Sequence, residues 1–260
     1  MLDEQFPLGI ICAMAEEIAA LLGDMSAVER RELAGREVLQ GRLYGRPVAM
    51  IESGIGKVAS AMTATLLLDN LKCRAIVMSG VAGGVDPHLA IGDLVVAQRL
   101  VQHDYGRVQA EGFTPFQPGI PPFGPGRPDF GYDLPKDLVA RIHRALDGYA
   151  LPALPAALFE GYDAPQRTPI VKVGTIVSGD QFINDENVRR RLQDQFHAHA
   201  VEMEGAAVAQ VAKAFGVPAI VIRSLSDLAG AESHLDFGRF LTAVAPVSAK
   251  VVERLVAVLD

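Results

Sequence analysis

Carboxylates placed beside strand-like apolar runs are the residues of this chain best suited to chemistry. Glu16 and Glu17 follow the run Leu8 to Ala13. Glu202 and Glu204 flank Met203, and Asp227 closes Arg223-Ser-Leu-Ser-Asp227, which extends the apolar run Ala219 to Ile222. Burial disfavours the charge of a carboxylate, so an acid at the end of a buried strand can hold or take a proton near neutral pH. Arg223 is reached through the same apolar run, which points to a buried strand end rather than a surface ion pair with Asp227. Each residue also has a plain structural reading. Glu16, Glu17, Glu202 and Glu204 would serve equally as first-turn acids that complement helix N-termini. Phe182 and Phe237 are core residues by default.

Other motifs fail on spacing. Gly54-Ile-Gly-Lys57 suggests a phosphate loop, but that motif needs Gly where Ile51 stands and Ser or Thr where Val58 stands. Gly80-Val-Ala-Gly-Gly84 lacks the dinucleotide-binding spacing; it marks backbone that turns tightly or lies close to a ligand. His197 and His199, near Glu202 and Glu204, match no zinc signature and read as surface histidines. A Gly-x-Ser-x-Gly nucleophile elbow is missing. Neither metal nor cofactor is expected.

The elements that must position these groups alternate. Leu8 to Ala13 reads as a strand and runs into a helix through Leu22. Three β-prone stretches follow from Val28 to Glu52, then a helix from Lys57 to Asn70 and a strand from Arg74 to Ser79. Leu94 to Val101 and Val171 to Ser178 read as strands, and Lys136 to Leu146 as a helix. Further helices are expected at Asn187 to Phe196 and Glu204 to Phe215, then the strand Ala219 to Ser224 and a last helix from Asp236 to Leu259. Such alternation implies one α/β domain over residues 1–260, a mixed, mostly parallel twisted sheet with helices on both faces. Only residues 105–134, rich in Pro, Gly and Phe, break the pattern, as an irregular insertion of the kind that is usually functional.

Composition narrows the ligand. Of 260 residues half are hydrophobic and 21% charged, enough for a large core, and no apolar run reaches the ~18 residues of a membrane span. A net charge of -7 without a Lys/Arg cluster argues against nucleic acid and for a small molecule. Cys12 and Cys73 sit in apolar runs as buried free thiols, which suits a cytoplasmic protein.

Four blocks together resemble the methylthioadenosine/S-adenosylhomocysteine nucleosidase branch of the nucleoside phosphorylase and nucleosidase superfamily. They are Gly9 to Glu17, Ser53 to Val58 with Gly80 to Gly84, Val177-Ser-Gly-Asp-Gln-Phe-Ile-Asn184, and Val201 to Glu204 with Arg223 to Asp227. The resemblance spans nearly the whole chain except about residues 105–168. It implies hydrolysis of the C1'–N9 bond of a 5'-thio-adenosine nucleoside with release of adenine. Asp227 would be the acid toward N7, held by Ser226. Glu17 would take a proton from water, and Arg223 would orient both. Glu204 would accept from ribose hydroxyls, beside Met203 and with Glu202 in the same substrate-binding set. Val81, Ala82 and Gly83 would lie along the ribose, Phe182 would stack on adenine, and Ile183 would offer backbone groups to its edge. Met14, Ile55 and Phe237 would surround the 5' substituent. A homodimer is implied as well.

Val81 departs from the family, which commonly has Ser there, so a hydroxyl near the reacting groups is missing. Two rivals share the fold. A phosphorylase would need an Arg where Met78 and Ser79 stand, and Glu16 and Glu17 would repel its phosphate. A non-catalytic nucleoside-binding protein would have no use for Glu17, Arg223 and Asp227 together.

Overall fold

The apolar runs become the centre of one sheet. The computed structural model describes residues 6–110, 112–123, 130–159, 168–230 and 237–259, without the side chains of 157, 159, 237 and 239. In chain order these form β1 (Leu8–Cys12), α1 (Ala15–Leu22), β2 (Met25–Leu33), β3 (Arg36–Leu43), β4 (Arg46–Glu52), α2 (Lys57–Thr65), β5 (Ala75–Gly84), β6 (Leu94–Gln102), β7 (Gly106–Gln109), β8 (Gly112–Pro115) and β9 (Tyr132–Asp133). Next come α3 (Lys136–Leu146), β10 (Val171–Ser178), α4 (Glu186–Phe196), β11 (Ala198–Glu202), α5 (Gly205–Phe215), β12 (Ala219–Asp227) and α6 (Phe237–Val256).

The main sheet runs β11-β10-β6-β12-β5-β1-β4-β3-β2. β1 lies parallel to both β4 and β5, with Ile10 opposite Met50 and Val77. Every residue of β1 is buried, because helices cover both faces. Ile11 packs with Met78, Ala64 and Val208 on one side. Ile10 packs with Val77, Leu21 and Leu255 on the other. Full burial of such a side chain is worth roughly 1.5–3 kcal/mol, so a charged residue at Ile10 or Ile11 would break the sheet at its centre. β11 pairs parallel with β10 and also antiparallel with β5, where Ala200 faces Gly84 and Val201 faces Gly83. The strands β11, β10, β6, β12 and β5 thereby close a ring.

Several expectations need correction. Gly80 to Gly84 do not form a tight turn but continue β5 as strand, and Gly83 and Gly84 carry the pairing that closes the ring. The strand β11 was not anticipated; its five residues sit between two helices with almost no loop to announce them. Residues 105–134 contain the small hairpin β7-β8 and the edge strand β9. The helix expected at 57–70 is α-helical to Thr65 and widens to a π turn over Leu66–Asn70. The last helix gives way to a 3-10 turn over Ala257–Leu259, and its expected start at Asp236 lies outside the described residues. His197 is exposed at the left-handed C-cap of α4, but His199 is not a surface residue. It is half-buried, accepts from the Thr175 N–H at 3.1 Å and packs on Gly174. Cys12 and Cys73 are buried free thiols, as expected.

Candidate active site

Four strand ends meet at one cavity of about 390 Å³. The segment after β1 brings Ala13, Met14 and Glu17, and the end of β5 brings Val81, Ala82 and Gly83. Val201 and Glu202 come from the end of β11, Met203 and Glu204 from the step into α5, and Arg223, Ser226 and Asp227 from β12. Ile55, from the turn before α2, and Gln181, Phe182 and Ile183, from the loop after β10, complete the lining. Every site residue expected from sequence is therefore in one place except Phe237, whose side chain lies outside the described residues. Ala13, Gln181 and Val201 were not anticipated, although each adjoins a residue that was.

Glu17 satisfies both readings of the sequence, one with each oxygen. It is the third residue of α1, and its Oε2 accepts from the N–H groups of Ala13 and Met14 at 2.9 and 3.1 Å, as a helix-start carboxylate does. Its Oε1 is buried and has no partner among the described residues. Burial pushes the proton affinity of Glu17 up, against the pull of the Arg223 guanidinium and of those backbone amides.

Arg223 is fully buried. Its Nη2 donates to Glu202 Oε2, to Glu204 Oε2 at 3.3 Å and to Met78 Sδ at 3.4 Å. No hydrogen bond to Glu17 is found among the described residues, so the expected contact between the two is electrostatic only. Room for the guanidinium comes from Gly80, where a Cβ would lie 1.9 Å from Arg223 Nη1 and 3.0 Å from Glu17 Oε1. The sequence offered no signal for that role, since Gly80 looked like one more residue of a glycine-rich turn.

The acid that ends β11 and the one that opens α5 differ in what they have left to offer. Glu202 accepts from Arg223, from Ser178 Oγ and from the N–H groups of Glu204 and Gly205, the latter at the start of α5. Its capacity is taken up by the protein. Glu204 accepts from Arg223 and, through Oε1, from the Gly56 N–H at 2.8 Å. Burial and the neighbouring Glu202 push Glu204 up to about 7. At the end of β12, Asp227 Oδ2 accepts from Ser226 Oγ at 2.9 Å and Oδ1 from the Ala229 N–H at 2.7 Å, which fixes the carboxyl plane. Gly83 leaves room there, because a Cβ would lie 3.0 Å from Asp227 Oδ1. Phe182 is not a core residue; it is 71% exposed at the cavity mouth, as is Ile55 at 62%.

Such a site offers acids at several positions around an apolar cleft, with one buried cation already engaged. Among the described residues no cluster of His, Cys, Asp and Glu has the arrangement of a metal site. The Phosphorylase superfamily profile matches residues 7–257. A 5'-methylthioadenosine/S-adenosylhomocysteine nucleosidase of Mycobacterium bovis is 44% identical over 252 residues, 97% of either chain. Among solved structures, the nucleosidase of the same description from S. pneumoniae, with a transition-state inhibitor, has a TM-score of 0.78 at 30% identity. It matches 98% of this chain and 100% of its own. Futalosine hydrolase of Helicobacter pylori has a TM-score of 0.77 at 32% identity, with 97% of each chain covered.

Proposed function

The chain belongs to the phosphorylase superfamily, and on that premise we propose that it is an N-glycosidase that hydrolyses 5'-methylthioadenosine, S-adenosylhomocysteine or both, with 5'-deoxyadenosine a further candidate. One observation carries hydrolysis over phosphorolysis. Among the described residues of the cavity lining the one guanidinium, that of Arg223, is already held by Glu202 and Glu204, while Glu17 stands nearby as a third carboxylate. Phosphate would meet acids and no free cation; water carries no charge and needs only an acceptor.

The geometry supports the following proton steps. Glu17 Oε1, which no described residue meets in hydrogen-bonding geometry, accepts a hydrogen bond from water and takes its proton as the water oxygen bonds to C1'. Asp227, held by Ser226 and the Ala229 amide, passes a proton to N7 as the C1'–N9 bond breaks, so adenine leaves neutral. The raised proton affinity of Glu17 suits a base working near neutrality. Glu204 accepts from the ribose hydroxyls, with Met203, Val81, Ala82 and Gly83 along the sugar. Glu202 anchors Arg223 and the start of α5 behind them. Phe182 and Ile183 face the base, and Met14 and Ile55 the 5' substituent.

The same reading makes residues 1–260 one catalytic domain, working as a cytoplasmic homodimer in methionine salvage. Two features support the dimer. The exposed apolar side chains Ile55, Val58, Met62 and Phe182 adjoin the mouth of the cavity. The described residues of 105–134 do not line the cavity of their own chain, and in the proposed dimer that segment would serve the 5' pocket of a second copy. The deciding experiment is incubation of the purified protein with 5'-methylthioadenosine, with and without phosphate, after dialysis against a chelator. Adenine and methylthioribose should form at equal rates in all conditions. A ribose-1-phosphate product, or no turnover, refutes the proposal.

A further inference from the structure

Lys57 is left over from the failed phosphate loop, and the cavity lining does not include it. Its backbone N–H opens α2 and donates to Asp180 Oδ1 at 2.8 Å. Its ammonium lies 2.5 Å from Asp104 Oδ1 and 3.8 Å from Asp180 Oδ2. Asp104 Oδ2 in turn accepts from the Asp180 N–H at 2.9 Å. The Lys57 and Asp104 side chains are each only 16% exposed, so their attraction is less screened than that of a surface pair. Burial works against the Asp104 carboxylate, yet the Lys57 ammonium and the Asp180 amide outweigh it and keep its proton affinity below the usual range.

These contacts tie three separate segments: the residues just past β6, the start of α2, and the loop after β10. That loop continues directly into Gln181, Phe182 and Ile183 of the cavity wall. On the other side the N-cap of α2, Gly56 at φ +98°, donates its N–H to Glu204 Oε1. A Cβ at Gly56 would come within 3.2 Å of Asp180 Oδ1, so the turn and the aspartate fit closely. Phe182 is 71% exposed, whereas Ile183 packs against the cluster of Val85, Val101 and Val177. The loop is thus anchored by packing beyond Phe182, and its start is tied by the Gly179 N–H to the Glu202 carbonyl and by the polar contacts of Asp180 with Lys57 and Asp104.

We propose that Lys57, Asp104 and Asp180 are positioning residues, a clamp that holds the loop bearing Phe182 and Ile183 against α2 and so sets affinity for the base without touching it. The proposal rests on the nucleosidase reading for its substrate, but not for its first test. In the unliganded protein, amide hydrogen exchange over residues 179–183 should be faster in Lys57→Met and in Asp104→Asn than in the parent. For adenosine-type substrate, both variants should raise KM, and the Kd for adenine, by roughly tenfold or more, while kcat stays within about threefold, since pre-ordering acts on binding. Lys57→Arg should recover most of the loss. The double variant should be no worse than either single one, because the residues act as a unit. A plain stabilising ion pair would lower Tm and leave KM and loop exchange alone in the folded protein. That outcome, or additive effects in the double variant, overturns the clamp. If Lys57→Met does not fold, Asp104→Asn and Lys57→Arg still decide. A parent protein that releases no adenine would refute the proposed function, while the exchange data would judge the clamp independently.

Discussion

At the residue scale, the divided role of Glu17 makes sharp predictions. Because Oε2 caps α1 while Oε1 is unpartnered, Glu17→Gln should keep the fold and nucleoside binding yet abolish turnover, for an amide takes no proton from water. Asp227→Asn should lower kcat by at least ~10²-fold with modest loss of binding, the usual worth of a positioned acid. A substrate whose base leaves without N7 protonation should recover rate in Asp227→Asn and not in Glu17→Gln. Equal responses would show the two roles to be misassigned. Glu17 must be charged to act, and burial has raised its affinity for protons. The acid limb of kcat/KM should therefore fall above the 4.5 of an ordinary glutamate; a limb at or below it contradicts this base. Gly80→Ala places a Cβ 1.9 Å from a fully buried guanidinium. Overpacking of this kind costs ~1–3 kcal/mol, so Tm should drop by several degrees and activity with it. A variant with parental Tm and rate would show that Arg223 has room to move. Arg223 and Asp227 were legible in sequence because they end an apolar run and Glu17 because it follows one, whereas Glu202 and Glu204 stood out through the family resemblance. Their partners were not: which oxygen meets which donor depends on strands brought together from residues 17, 80, 202 and 223.

At the element scale, long apolar runs declared themselves and short or polar strands did not. β1 and β12 are buried along almost all of their length, and their composition says so. β11 has a histidine in five residues and takes its strand form from β10 and β5, which no local pattern encodes. The Gly80 to Gly84 segment was read as turning tightly or lying close to a ligand, and only the turn fails. Gly83 lines the cavity, and the glycines also allow close approach of side chains, with Arg223 against Gly80 and Asp227 against Gly83. The β7-β8 hairpin projects Val108 at 81% exposure, which suits a segment completed by another chain. Replacing residues 107–114 with a short Gly-Ser link should raise KM for 5'-thio nucleosides while Tm changes little, as measured by steady-state kinetics and thermal melting. An unchanged KM would remove the hairpin from the pocket.

At the scale of the whole molecule, the buried acids leave a signature in stability. The native state holds a proton on Glu204 up to about 7, whereas a free glutamate releases it near 4.5. Between those values this carboxyl holds more proton in the folded chain than in the unfolded one, so its contribution to stability is full below 4.5 and is lost as pH rises through about 7. His103 and His199, whose proton affinity burial lowers, act the opposite way below 6.5, so the Glu204 part is read by difference: in thermal melts across that window Glu204→Gln should remove a downward component from the slope of Tm against pH. A slope unaffected by the substitution would mean that Glu204 is ionised throughout. The overall α/β architecture was readable from the alternation of runs, but the closed ring was not, since it depends on one strand pairing on both its sides.

That ring also imposes an order on biosynthesis. A nascent chain emerges from its N-terminus, so Glu17 and β5 exist long before β11 and β12 leave the ribosome. Glu202 and Glu204 cannot be buried alone, because an uncompensated interior charge costs several kcal/mol, and their counter-ion Arg223 is made some twenty residues later. Until β12 is available, the pairing of Ala200 and Val201 with Gly84 and Gly83 would bury those acids unneutralised. A chain cut before β12 therefore lacks both the counter-ion of the buried acids and the carboxylate of Asp227 at the cavity.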